Sequence, residues 1–304
     1  MCVSDGSLLP LLLAKSNLPS LSHIYTLESN EHSARVYKTL LESNPVPTGT
    51  KIHVVTKSSH DVTASDLVNG ATPTEGALIE AVIGEPYFST SLLPWHNLHF
   101  WYARDALRSL CSADCLVVPC SASLMAIAVS FQDLYSLRAP VGNVEGFDIS
   151  AFDRQVGKVN SDDEWVEPEM HPLWEYPAHP RSKVYTLMNF DLIAPVPSTP
   201  IRVGGVLELT HPPLPSSSRG GEGRCNGVVL WMDYQLTDQI TTTTGLMTAP
   251  GGPNERLCWD STSKQAVHFL SPDSALGTSH LHKLNYVSEF NTTSGELRFS
   301  FTAS

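Results

Sequence analysis

His23-Ile24-Tyr25-Thr26-Leu27 is a short run of β-branched and aromatic residues that closes on Glu28. Such a run reads as a strand. Glu31 to Asn44 follows, with Val36, Leu40 and Leu41 at helical spacing and Tyr37 beside them. Ser29 or Asn30 can cap that helix, and Asn44 before Pro45 closes it. Lys51-Ile52-His53-Val54-Val55-Thr56 is again a strand. Strand, helix, strand is the unit of a parallel sheet.

The same alternation extends in both directions. Met1 to Ser4 is a short apolar run before Asp5-Gly6-Ser7, and a helical stretch lies near Leu8 to Lys15. Downstream, Ala77 to Ile83 forms a fourth strand running into Gly84-Glu85-Pro86. A long helix is expected from about Leu93 to Leu110, then a fifth strand over Cys115 to Pro119. Residues 1–120 therefore predict an α/β, doubly wound, Rossmann-like domain.

Beyond residue 120 the pattern changes. Leu124 to Leu137 reads as one long strand, and residues 145–180, rich in proline and acid with Asp162-Asp163-Glu164, as an irregular insertion. From Lys183 onward strands dominate, with Ser216 to Gly223 as a flexible loop between two of them. Many short strands with polar turns suggest an antiparallel barrel or sandwich, and after the Rossmann-like sheet the expected architecture is a β-barrel domain over residues 121–304.

The chain has 304 residues, 31 acidic against 19 basic, and a formal net charge of −12 spread over both halves. Phosphate repels such a surface, so nucleic acid is excluded as a partner. No apolar stretch reaches ~18 residues, so no membrane span is expected. Cys2, Cys111, Cys115, Cys120, Cys225 and Cys258 read as reduced core thiols of a cytoplasmic or nuclear protein. Their spacing fits no zinc pattern, so no metal is expected, and His280 with His282 reads as a strand pair.

Ligands of open α/β sheets bind beyond the carboxyl ends of the strands. Three features fall there. Gly6, in the turn Asp5-Gly6-Ser7, lets a ligand approach backbone closely. Glu28 follows strand two, 23 residues after Asp5, at the place where a carboxylate takes ribose hydroxyls. A nucleoside ligand fits this pair, and so does a plain turn glycine with a solvated acid. Glu85 at the rim suits a cationic group, yet a guanidinium clamp wants a partner acid. None follows before Asp105; the nearby polar groups are His96 and Asn97.

Several stretches carry a family resemblance. Cys2-Val3-Ser4-Asp5-Gly6-Ser7-Leu8-Leu9, Tyr25 to Ser29, Gly84 to Leu98, Glu145-Gly146-Phe147-Asp148, His171 to Pro177, Val229 to Tyr234 and Lys264 to Val267 resemble, in order, the protein arginine methyltransferases. The match is to the second module of the type III, two-module members. The resemblance implies a first module outside this chain that binds S-adenosylmethionine and monomethylates arginine. It also implies that the two modules pack as a pseudo-dimer, acting on arginine-rich proteins such as histones and spliceosomal proteins. It assigns Asp5, Gly6 and Glu28 to the cofactor and Glu85 to one of two catalytic glutamates.

The departures from that pattern point to lost chemistry. Gly6 stands alone where the family carries several glycines, and Leu8 and Leu9 stand where small residues admit the cofactor. The second glutamate falls near Pro94, and Ser261-Thr262-Ser263 replaces a Thr-His-Trp motif. The expected function is thus a pseudocatalytic second module that does not bind S-adenosylmethionine alone. A free interaction module and a standalone active enzyme are the alternatives. In the helix after Glu85, Leu98, Trp101 and Tyr102 make one apolar face, and Phe100, Ala103, Leu107 and Leu110 another. One face is expected on the sheet, and the other on this chain's β half or on the first module.

Overall fold

The structure is a computed structural model. It describes residues 2–4, 8–16, 18–46, 49–67, 79–85, 93–131, 133–138, 141–157, 165, 167–210, 225–252, 255–270 and 283–303. Asp5, Gly6, Asp162 to Glu164, the loop 216–223, His280 and His282 lie outside these.

Five strands form the first sheet: β1 (Cys2–Ser4), β2 (His23–Leu27), β3 (Lys51–Val55), β4 (Ile79–Ile83) and β5 (Cys111–Val118). All pair in parallel, in the order β3-β2-β1-β4-β5. The strand order reverses between β1 and β4, so a crevice is expected at their carboxyl ends. Helices α1 (Leu9–Lys15), α2 (Glu31–Ser43) and α3 (His99–Ala106) connect the strands. On one face Ile24, Ile52 and Ile83 meet Leu13 and Ala14 of α1. On the other, Tyr25 and Val82 meet Leu107 and the Val62 to Leu67 segment.

Asn30 caps α2, its side chain accepting from the His32 and Ser33 N–H groups at 2.9 and 3.1 Å. The buried stripe is Ala34 and Tyr37, with Leu41 half-buried, whereas Val36 is 57% exposed. This corrects the expected face: 34, 37 and 41 are one helical row, and 36 lies off it.

The expected helix over 93–110 is broken into three pieces. A 3-10 turn covers Pro94–Leu98, α3 follows, and a second 3-10 turn covers Arg108–Leu110. Pro94 supplies the first-turn position that needs no N–H donor. Leu107 ends α3 because the chain must turn into β5 at Cys111.

The second half is antiparallel. Its strands are β6 (Ser121–Phe131), β7 (Asn143–Val144), β8 (Phe147–Asp148), β9 (Glu169–His171), β10 (Ala178–Pro180), β11 (Tyr185–Asp191), β12 (Ile201–Glu208), β13 (Gly227–Thr237), β14 (Ile240–Thr243), β15 (Gln265–Phe269), β16 (Lys283–Phe290) and β17 (Leu297–Ala303). Seven belong to one sheet, in which β13 lies between β6 and β15. A separate sheet has the order β12-β16-β17.

The expected closed barrel is corrected here. Among the described residues no ladder joins the two sheets; a single bridge links Ser182 and Leu209. The core closes instead by packing. Ala122, Leu124 and Ala126 of β6 and Leu230, Met232 and Tyr234 of β13 share one cluster with Phe290 of β16 and Phe299 of β17. The alternate residues, Ile127, Val129, Phe131, Val229 and Trp231, form a second cluster with Trp259 and Leu257. Both faces of β6 and β13 are therefore covered, which explains why these strands read as continuous apolar runs.

Two further expectations change. The long strand over 124–137 ends at Phe131, and α4 (Asp133–Arg138) follows, with an acid in its first turn. Residues 145–180 are not wholly irregular. Glu145 (φ 51°) and Gly146 (φ 91°) make the two-residue turn between β7 and β8. Asp148 then receives the Ser150 N–H at the start of α5 (Ser150–Gly157). Among the described cysteines only Cys225 is buried; Cys258 is exposed and Cys111, Cys115 and Cys120 are half-buried. No described helix is long and apolar enough to cross a membrane.

Candidate functional site

Glu28 and Glu85 stand at the carboxyl ends of β2 and β4, each half-buried. The strands on either side of β1 thus bring both to the rim of the crevice. The ladders run one residue past the strand ends: the Glu28 N–H donates to Val55 and the Gly84 N–H to Val118, both at 3.0 Å. Glu28 Oε1 accepts the Asn30 N–H at 3.0 Å, which ties the carboxylate to the entry of α2. Among the described residues the Glu85 carboxylate has no hydrogen bond or ion pair. Asp5 and Gly6 of the first turn lie outside the described residues.

A cavity of about 250 Å³ opens beside these ends. Leu27 and Ser29 flank it from β2, Val82 to Gly84 from β4, Phe100, Ala103 and Leu107 from α3 and its end, and Lys57 to Ser59 from the turn after β3. The Phe100 ring lies directly on Gly84: a Cβ there would come within 2.5 Å of it. Lys57 is the cation of the lining. Its Nζ holds both oxygens of Asp66, at 2.7 and 2.9 Å. Asp66 also receives the Thr63 N–H and hydroxyl, at 2.8 and 2.7 Å. The Lys57 and Thr63 bonds hold its carboxyl well down, at about 2. Neither the Lys57–Asp66 pair nor the Phe100 contact was expected from sequence, though Thr63-x-x-Asp66 is a legible capping pattern.

The remaining predicted neighbours serve structure. His96 Nδ1 accepts the Leu93 N–H at 3.2 Å, and burial with His99 nearby lowers its pKa. Asn97 Nδ2 reaches the Pro94 carbonyl at 3.4 Å. Pro94 is itself buried, and its carbonyl accepts the Tyr234 hydroxyl at 3.2 Å. Ser261-Thr262-Ser263 forms a bend; the Thr262 hydroxyl bonds the Asp260 carboxylate and the Ser263 carbonyl accepts from Gln265 Nε2. Among the described residues no group of three potential metal ligands converges.

No family model matches the chain. Curated relatives do. The chain is 38% identical over 303 residues to protein arginine N-methyltransferase 7 of Mus musculus and 39% identical over 307 residues to that of Xenopus laevis, each match covering 99% of this chain. The chain belongs to the protein arginine N-methyltransferases. It spans about two fifths of the length of these relatives, 40% and 41%. The crystal structure of PRMT6 superposes with a TM-score of 0.58 at 17% identity, covering 99% of this chain and 89% of that one. The Trypanosoma brucei PRMT1 enzyme-prozyme complex gives 0.58 at 13% identity, covering 99% and 88%. These structures share the methyltransferase fold.

The family's cofactor, S-adenosylmethionine, is a sulfonium cation with a ribose and an adenine. Glu28, half-buried at the carboxyl end of β2, is a carboxylate of the kind that accepts ribose hydroxyls. Among the described residues the cavity is smaller than the ~300–1,000 Å³ of most ligand pockets, and the described lining holds one lysine and no acid to offset a sulfonium charge. Phe100 on Gly84 fills the rim beside Glu85.

Proposed function

We propose that this chain is the second, pseudocatalytic module of an S-adenosylmethionine-dependent protein arginine N-methyltransferase, with the Rossmann-like part over residues 1–120 and the β part over 121–304. In the whole enzyme it completes a pseudo-dimer with the first module, which monomethylates arginine in proteins such as histones and spliceosomal proteins of the cytoplasm and nucleus. Asp5, Gly6, Glu28 and Glu85 are remnants of the cofactor and substrate sites. The observation that carries this reading is Pro94. The family resemblance puts the second catalytic glutamate near this residue, which is buried with its carbonyl engaged by Tyr234. Methyl transfer needs a guanidinium oriented and its charge held at the methyl donor. One carboxylate does not grip a planar guanidinium from two sides. Support for a covering partner comes from Leu137, Phe147 and Phe152, each 73% exposed on α4, β8 and α5.

Calorimetric titration of the chain with S-adenosylmethionine tests the cofactor half of this reading. The expected result is no heat of binding up to about millimolar ligand, a free energy weaker than ~4 kcal/mol. Micromolar binding that Glu28→Ala abolishes would refute it.

A further inference from the structure

The parallel sheet carries two thiols that are not among the residues lining the described cavity. β5 pairs with β4 through a shifted register: Cys111 lies opposite Ile79 and Leu116 opposite Ala81. Four residues of β5 therefore face one residue of β4, and Ser112 to Cys115 bulge from the ladder. Cys111 and Leu116 thus stand opposite residues only two apart on β4, a span of about 7 Å, which draws the two ends of the bulge, and with them Cys111 and Cys115, towards each other. Cys111 and Cys115 are both half-buried and pack against the same apolar cluster, which includes Ile79, Val82 and Leu107. Between them Ala113 and Asp114 are exposed, so small solutes reach the bulge. β5 is the outer strand of its sheet, where local opening costs least.

We propose that Cys111 and Cys115 are a redox-active dithiol that closes reversibly to a disulfide under a peroxide oxidant. Burial and the neighbouring Cys115 push the Cys111 thiol up to about 12. Cys111 stays protonated, its S–H donating to the Leu107 carbonyl at 3.3 Å. Cys115, flanked by the exposed Asp114 and Leu116, is the sulfur that peroxide reaches first. Having given its proton to water, it takes one peroxide oxygen, the O–O bond breaks, and hydroxide leaves. That hydroxide takes the Cys111 proton and becomes water, the Cys111 thiolate attacks the sulfur of the sulfenic acid, the S–S bond forms, the S–O bond breaks, and the second hydroxide takes up the proton that Cys115 gave to water. Two thiols and one hydrogen peroxide give one disulfide and two waters, sulfur being oxidised and peroxide reduced. The ring closes over three intervening residues, so the resolving thiol is held at high effective concentration. A thiol–disulfide exchange reductant restores the pair.

Peroxide treatment of the full chain, alkylation of the remaining thiols and peptide mass spectrometry test this. Exposed Cys258 serves as the internal reference for oxidant reaching a single thiol. The expected result is that most chains yield a 111–115 peptide lacking two hydrogens and unalkylated, returned to two alkylated thiols by dithiothreitol. In Cys111→Ser the sulfenic acid at Cys115 should persist and be captured by dimedone. Full alkylation of both cysteines at a peroxide dose that oxidises Cys258 would overturn the proposal. So would dimedone capture at Cys115 in the unsubstituted chain with no internal disulfide. Should Cys111→Ser fail to fold, the unsubstituted-chain measurements still decide.

Discussion

His268 lies buried on β15 with its ring centroid 4.9 Å from that of Phe301, and among the described residues its Nδ1 meets no hydrogen-bond partner. Burial pushes its pKa down from 6.5 to about 4. The folded chain then binds fewer protons here than the unfolded chain. Its neutral form is at no disadvantage above the unfolded value, and stability falls as pH drops from that value towards the folded one. Between about pH 7 and pH 5 this one residue should remove ~2 kcal/mol of stability. Urea unfolding at the two pH values measures it. In His268→Leu, which keeps a buried apolar side chain, the pH-dependent loss should shrink by about that amount; an unchanged pH slope would show that His268 is not the group responsible. His268 falls in the strand-rich stretch after Lys183, but nothing in the sequence puts it on the face that packs against β17. That neighbour is 33 residues away, and no local pattern encodes it.

Helix α3 is the element that joins the halves. Trp101 stacks on Phe290 at 6.1 Å and meets Phe190 edge-on at 6.2 Å, and its Nε1 donates to the Ala194 carbonyl at 2.7 Å. Tyr102 donates to the Thr292 carbonyl at 2.8 Å. Phe100 and Leu107 face the parallel sheet. Both apolar faces of the helix are thus covered by this chain. The pattern showed two buried faces and could not name the second cover, because periodicity records burial and not the identity of the neighbour. Trp101→Ala should cost about 3–5 kcal/mol, the range for removing a buried large aromatic. Tyr102→Phe, which deletes one hydrogen bond, should cost about 1 kcal/mol. Chemical denaturation of the two variants checks this. Equal losses, or a loss under ~1 kcal/mol for Trp101→Ala, would mean that α3 is not the keystone between the halves.

At the scale of the whole molecule, the alternation of strand and helix predicted the parallel sheet closely, and all five strands appear in it. The antiparallel half was legible as strands and not as architecture. β6 and β13 pair over residues about a hundred positions apart, and whether such sheets close into a barrel depends on edges that strand patterning does not register. The site was legible as strand-end carboxylates, because topology places Glu28 and Glu85 at one rim. What fills the space between the strands came from Phe100 and from the Lys57–Asp66 pair, contacts set by packing. The central claim is that this module supports methylation without performing it. Glu85→Gln in the two-module enzyme tests that claim most directly, with kcat/KM measured on an arginine-rich peptide. The account predicts a value within about twofold of the unsubstituted enzyme, while the same substitution at the matching first-module glutamate abolishes turnover. A loss of tenfold or more from Glu85→Gln, about 1.4 kcal/mol of transition-state stabilisation, would contradict it.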